Sequence, residues 1–184
     1  FHSFGERILK DYGIEIGLPV NFSIYTASQQ WMMVYNNLTR FELNYYRPLG
    51  NPTRFIHALL QHFSRAKDEE ITPEAYLKYA QEAVLNTDSE INPEEETRRL
   101  LEVGSAYHTY NQILLEHGAL DFGDLISYTL RLLHSRPRVL VELRRRFKYI
   151  LVDEFQDTNY AQYELIKMLA APQNNITVVG DDDQ

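Results

Sequence analysis

Two short apolar runs constrain the fold of these 184 residues more than any other feature. Tyr149-Ile150-Leu151-Val152 stops abruptly at Asp153-Glu154, and Ile176-Thr177-Val178-Val179 stops at Gly180 and the aspartates Asp181, Asp182 and Asp183. A short, wholly apolar run with polar flanks is what a strand buried on both faces of a parallel sheet looks like. Between the runs, residues 159–171 carry a helical pattern with Tyr163, Ile166 and Leu169 inward. Strand, helix and strand with short links predict a right-handed parallel crossover. In open parallel sheets chemistry gathers at the carboxyl ends of the strands, and both carboxyl ends here carry acids. A carboxylate fixed there suits a magnesium ion held through one or two carboxylates and waters. Its neighbour can then orient an attacking water for phosphoryl transfer. A second reading stays open at this point, in which Asp153 and Glu154 are simply polar residues leaving a strand.

Upstream the pattern is helical. Phe4, Ile8 and Leu9 keep helical spacing as far as Gly13, read as a stop. Thr26 and Gln29 have capping-box spacing ahead of a helix over 26–43, with Trp31, Val34, Tyr35, Leu38 and Phe41 on one face. Residues 54–65 repeat the pattern with Phe55, Ile56, Leu59, Leu60 and Phe63. Thr72-Pro73-Glu74 and Asn92-Pro93-Glu94-Glu95 each supply a cap, a first-turn proline and acids facing the positive helix end. The second starts a long helix that carries Leu100, Tyr107, Tyr110 and Leu114 to a stop at Gly118. RPLGNP at 47–52, KDEE at 67–70 and NTDSEINP at 86–93 read as surface loops. From about residue 120, Asp121 caps a helix faced by Leu125, Ile126, Leu130 and Leu133, and a short basic helix over 138–146 leads into the first strand. The expected fold class is α/β and predominantly helical, with a helical module attached to part of a parallel sheet.

The formal charge of −8 alone makes nucleic acid a poor guess for a partner. The charge is uneven, however. Residues 68–102 hold eleven acids against Lys78, Arg98 and Arg99, whereas 131–148 hold seven Lys or Arg against Glu142 alone. The cationic string Arg144-Arg145-Arg146-Phe147-Lys148 fits a solvated face or a phosphate contact. Most of the tyrosines have core-like helical spacing, and Tyr45, Tyr46 and Arg47 are the exposed candidates for base stacking. With no cysteine there is no disulfide framework or thiolate metal site, which fits a reducing, cytosolic setting. His57 and His62 lack the i, i+4 spacing of a helical zinc pair, so no zinc site is expected. No apolar run approaches the roughly 20 residues that span a bilayer, and no signal peptide is visible. The chain begins at Phe1 rather than Met and ends in DDDQ directly after a strand-like run, so it reads as an excised piece of a longer protein.

Longer strings bring a family into view. VDEFQDTN at 152–159, followed by VVGDDDQ at 178–184, closely resembles motifs II and III of the UvrD/Rep/PcrA family of superfamily 1 DNA helicases. FHSFG at 1–5 is similar to the end of motif Ib, and LDFGDLI at 120–126 to the segment ahead of motif II. The resemblance runs through the chain in order, although residues 40–100 match only in helical character. It implies a partial RecA-like parallel sheet of the P-loop NTPase type, whose phosphate loop precedes motif Ib and is absent from this stretch. Residues 1–21 and 118–184 would be parts of RecA-like domain 1A, and 22–117 a helical 1B-like insertion.

The resemblance also implies roles. Asp153 would help hold Mg2+, Glu154 would activate the attacking water, and Gln184 would sense the terminal phosphate of ATP. Gln156, Asp157 and Asp181 would belong to the nucleotide site, while Phe1, His2 and Ser3 would approach the DNA backbone. Asp182 and Asp183 read as solvated or capping residues. The implied parent is an ATP-dependent 3′-to-5′ helicase acting on single-stranded and forked DNA, cytoplasmic and nucleoid-associated, without membrane contact. The isolated stretch is expected to be monomeric and to hydrolyse no ATP. Rival readings are a helicase–nuclease of the AddA/RecB type, a remodelling translocase whose helical module docks a protein, and a non-catalytic helical interaction domain.

Overall fold

A computed structural model describes residues 1–85 and 93–181. Along the chain run α1 (His2–Tyr12), β1 (Ser23–Ile24), α2 (Ala27–Asn36), α3 (Ile56–Asp68), α4 (Pro73–Leu85) and α5 (Pro93–Glu116). They are followed by β2 (Ala119–Leu120), α6 (Phe122–Ser135), α7 (Pro137–Arg146), β3 (Ile150–Val152), α8 (Tyr160–Ala170) and β4 (Ile176–Val178). The described residues form two compact units. One holds residues 1–22, 68–70 and 122–181, and the other residues 23–67, 71–85 and 93–121.

The helical unit folds as its caps and periodicity dictate. Thr26 accepts from the Gln29 amide while the Gln29 side chain accepts from the Thr26 amide, closing the expected capping box. At the start of α4 the Thr72 hydroxyl takes the Ala75 N–H at 3.2 Å. Met33, Val34, Phe41, Ile56, Leu59 and Phe63 close the core against the α5 face of Val103, Tyr107, Tyr110 and Leu114. Phe63 lies nearly parallel to Tyr107 with ring centres 5.0 Å apart, and such a pair adds about 0.5–1.5 kcal/mol beyond burial. α5 ends at Glu116, and Gly118 takes a positive φ of 60°.

Several expectations for this unit are corrected. α2 stops at Asn36 and a 3₁₀ turn follows over Leu38–Arg40, so no single helix spans 26–43. Tyr35 faces outward with Trp31 stacked on it at 5.2 Å, and Met33 takes the buried place. KDEE is not wholly a surface loop: α3 runs on to Asp68, and Lys67 is only 4% exposed. Its ammonium meets Asp121, itself 6% exposed, at 2.6 Å, and the Tyr110 hydroxyl donates to the same carboxylate oxygen at 2.8 Å. A charge pair kept from water needs such added hydrogen bonds to offset desolvation. The Glu102 carboxylate accepts three successive amides, those of Asn44, Tyr45 and Tyr46, at 2.7, 3.2 and 2.9 Å. β1 and β2, too short to announce themselves, pair in parallel with Ser23 opposite Ala119. Asn92 and the rest of 86–92, where a cap and a loop are expected, lie outside the described residues.

In the strand-bearing unit α6 is buried nearly all round, through Leu125, Ile126, Leu130, Leu132 and Leu133 among others. α1 passes so close that a Cβ on Gly5 would stand 2.7 Å from the Leu125 carbonyl oxygen, an approach only glycine permits. α1 ends at Tyr12 with Gly13 as its C-cap, where the stop is expected, and a separate 3₁₀ turn then runs over Gly13–Ile16 to Gly17, with φ 86°. β3 and β4 are parallel, Ile150 facing Ile176, Leu151 facing Thr177 and Val152 facing Val178. They are not buried on both faces. Of the paired residues only Val152 is buried, while Leu151 is 72% exposed and every residue of β4 is exposed. Leu165, Ile166 and Leu169 of α8 share a groove with β3, and among the described residues no second layer covers the opposite face. Tyr163 also turns outward, with the Lys167 ammonium over its ring at 5.4 Å; Ala161, Leu165, Ile166 and Ala170 form the inner face of α8.

Candidate functional site

Parallel pairing sets the carboxyl ends of β3 and β4 side by side, and the hydrogen bonds continue one step past the strands. The Val179 N–H donates to Val152 O at 2.8 Å and the Phe155 N–H to Val179 O at 3.0 Å. Asp153 and Glu154 therefore emerge beside Gly180 and Asp181, all at the exposed edge. Glu154 adopts a left-handed backbone, φ 51° and ψ 48°, which costs a non-glycine residue about 1–2 kcal/mol. Its N–H donates to the Asp153 Oδ1 at 3.1 Å, and its carbonyl takes the Asp157 N–H at 3.0 Å, opening a 3₁₀ turn over Phe155–Asp157.

Gln156 ties the two strand ends together. Its Nε2 donates to the Glu154 Oε2 at 2.7 Å and its Oε1 accepts the Asp181 N–H at 3.1 Å. A Cβ on Gly180 would fall 2.7 Å from that Oε1, so the glycine keeps room for the bridge. The sequence signal for it was a glycine directly after an apolar run; the left-handed turn at Glu154 left none.

The structure thus brings Asp153, Glu154, Gln156 and Asp181 to one place. Asp157 sits exposed in the 3₁₀ turn beside them. Gln184, with Asp182 and Asp183, lies outside the described residues. Phe1 lines the groove of about 300 Å³ against Ile150, Leu151 and Leu165. His2 meets the ring edge of Phe122 at 5.8 Å, and partial desolvation pushes its imidazole below the ordinary value. Ser3 is exposed on α1. Phe122, the neighbour of His2, was missed because it stands 120 positions downstream.

Among the described residues no group of three or more His, Asp or Glu forms a metal cage. The donors present are exposed, hard carboxylate oxygens at a strand end. That set fits magnesium, which keeps several waters and takes one or two carboxylates plus substrate oxygens. It fits softer transition metals poorly.

A mostly helical α/β chain with acids on adjoining parallel strand ends is consistent with an α/β helicase N-terminal region. The chain belongs to the family described as the UvrD/REP helicase N-terminal domain, which matches residues 1–184. It is 36% identical over 187 residues to the ATP-dependent DNA helicase PcrA of Leuconostoc citreum, and 36% identical over 185 residues to that of Bacillus subtilis. It is also 33% identical over 184 residues to a probable DNA helicase II homolog of Mycoplasma capricolum. Each match covers 100% of this chain but only 22–23% of the relative, so the chain spans under a quarter of their length.

Proposed function

We propose that the chain is part of an ATP-dependent 3′-to-5′ DNA helicase that couples ATP hydrolysis to stepping along single-stranded DNA and opening forks. The observation that carries the reading is the Gln156 bridge, which locks Glu154 to the end of the neighbouring parallel strand. A catalytic carboxylate must be held in a fixed geometry, and a bidentate amide supplies that. Magnesium, when bound, supplies charge neutralisation for the transferring phosphoryl group. Asp153 would hold it, in part through water, and Glu154 would orient and deprotonate the attacking water. Gln156 would keep Glu154 in place and sense movement of the strand end at Asp181. Asp157 would steady the turn, and Gln184 would meet the terminal phosphate. Phe1, His2 and Ser3 would lie along the DNA backbone, where contacts position the strand and carry no sequence information. The helical unit would be the 1B-like insertion, and the strand-bearing unit part of domain 1A.

The test is Glu154→Gln in the full-length protein. It should leave nucleotide binding within a few-fold and lower DNA-stimulated hydrolysis about 10²–10⁴-fold, the usual contribution of a positioned general base. Near-normal turnover would remove Glu154 from the reaction. The 184-residue chain alone is expected to show no hydrolysis above its own Glu154→Gln variant.

A further inference from the structure

The helical unit carries a cavity of about 680 Å³ that none of the roles above uses. Leu59 and Val103 lie under it, and Tyr46, Tyr76 and Tyr79 stand around it. Tyr76 and Tyr79 are three residues apart on α4 and so share a helix face. Tyr79 is 64% exposed, a ring left in water at the edge of the opening.

The charges around this opening are unevenly matched. The Arg99 guanidinium stacks on Tyr45 at 3.8 Å and its Nη2 pairs with Glu95, which offsets its charge although its buried Nε has no hydrogen-bond partner. His62 hydrogen-bonds the Tyr76 hydroxyl at 2.8 Å, and burial holds its imidazole below the ordinary value, so it adds little positive charge at neutral pH. Glu96 also lines the cavity, and among the described residues it has no ion-pair partner. Aromatic walls with one uncompensated carboxylate are the chemistry that holds an ammonium or guanidinium group. The described side chains of this unit over 71–102 lean the same way, with Glu74, Glu82, Glu95, Glu96 and Glu102 against Lys78, Arg98 and Arg99. Such a field draws in a basic partner and repels phosphate.

We propose that this cavity docks a lysine or arginine side chain from a basic segment of a protein partner. Tyr79 and Tyr76 face the cation's aliphatic stem and charge, and Glu96 neutralises it. The inference rests on the helical unit alone and stands or falls separately from the helicase reading.

The test uses the 184-residue chain and fluorescence anisotropy. The probe is a labelled peptide of alternating arginine and glycine, run beside the same peptide with glutamate for arginine and a labelled oligothymidine. The arginine peptide should bind saturably and the glutamate peptide should not. Tyr79→Ala and Glu96→Gln should each weaken binding about tenfold, roughly 1.4 kcal/mol, whereas Tyr149→Ala in the other unit should leave it unchanged. Both side chains are solvent-facing, and far-UV circular dichroism confirms each fold; if Tyr79→Ala unfolds, Glu96→Gln decides alone. Three results would overturn the proposal: no saturable peptide binding, binding indifferent to Glu96→Gln, or oligothymidine binding that these variants weaken more than peptide binding.

Discussion

In the helical unit an ammonium and a carboxylate, Lys67 and Asp121, meet at 2.6 Å away from water, with Tyr110 on the same oxygen. In the strand-bearing unit Asp153, Glu154 and Asp181 stand exposed on a strand edge, organised by one amide, Gln156. The first arrangement commits charge to the fold, because a buried pair is tolerated only while both partners are present. The second leaves charge in water, where it can meet a ligand and where its removal costs the fold little. Packing follows the same division. Within this 184-residue stretch, under a quarter of its relatives' length, the helical core closes over Phe63, Tyr107 and Tyr110, while Leu151 of β3 and Val178 of β4 are left uncovered.

Substitutions in each unit sharpen that contrast. Trp31 is the sole tryptophan and lies in the helical unit, so its fluorescence during urea unfolding reports that unit alone. Lys67→Met should have the largest effect, destabilising the unit by about 3–5 kcal/mol by leaving Asp121 buried and unpaired. Adding Asp121→Leu should restore much of the loss; a single substitution without effect would show that the pair is not buried in solution. Thr26→Ala should cost about 1 kcal/mol by removing one half of the capping box. Gly180→Ala lies in the other unit and is followed by far-UV circular dichroism instead. It should shift stability least, within about 0.5 kcal/mol, because of the nearest atoms only the far end of the Gln156 side chain, at 2.7 Å, is crowded by the added methyl. In the full-length protein the same change should nevertheless slow ATP hydrolysis by displacing Gln156 from Glu154. A large loss of stability from Gly180→Ala with normal hydrolysis would reverse the contrast.

Much of this architecture was legible because it is written in short-range chemistry. The Thr26–Gln29 box, the Thr72 cap, the stop at Gly118 and the parallel pairing of 150–152 with 176–178 all follow from residues a few positions apart or from one crossover rule. What escaped depends on distance along the chain. Lys67 reads as part of a polar loop until its partner, 54 positions later, is in place. The two-residue strands β1 and β2 carry no periodicity to detect. Tyr35 and Tyr163 satisfy helical spacing yet face outward, since each amphipathic ring finds company at the surface, Trp31 for one and Lys167 for the other. At the candidate site, the acids were evident from composition at the strand ends. The left-handed Glu154 and the Gln156 bridge were not, because both are settled by how two strand ends meet.

One contact in the helical unit has a consequence for any anionic ligand. Successive backbone N–H groups over 44–46 form the kind of concave donor array that elsewhere captures a phosphate or sulfate, but here the carboxylate of Glu102 already occupies it. A nucleic acid strand arriving at this loop would have to compete with a tethered anion that never diffuses away. The backbone at Tyr45 and Tyr46 is therefore set before any visitor arrives, and Arg99 already covers the Tyr45 ring.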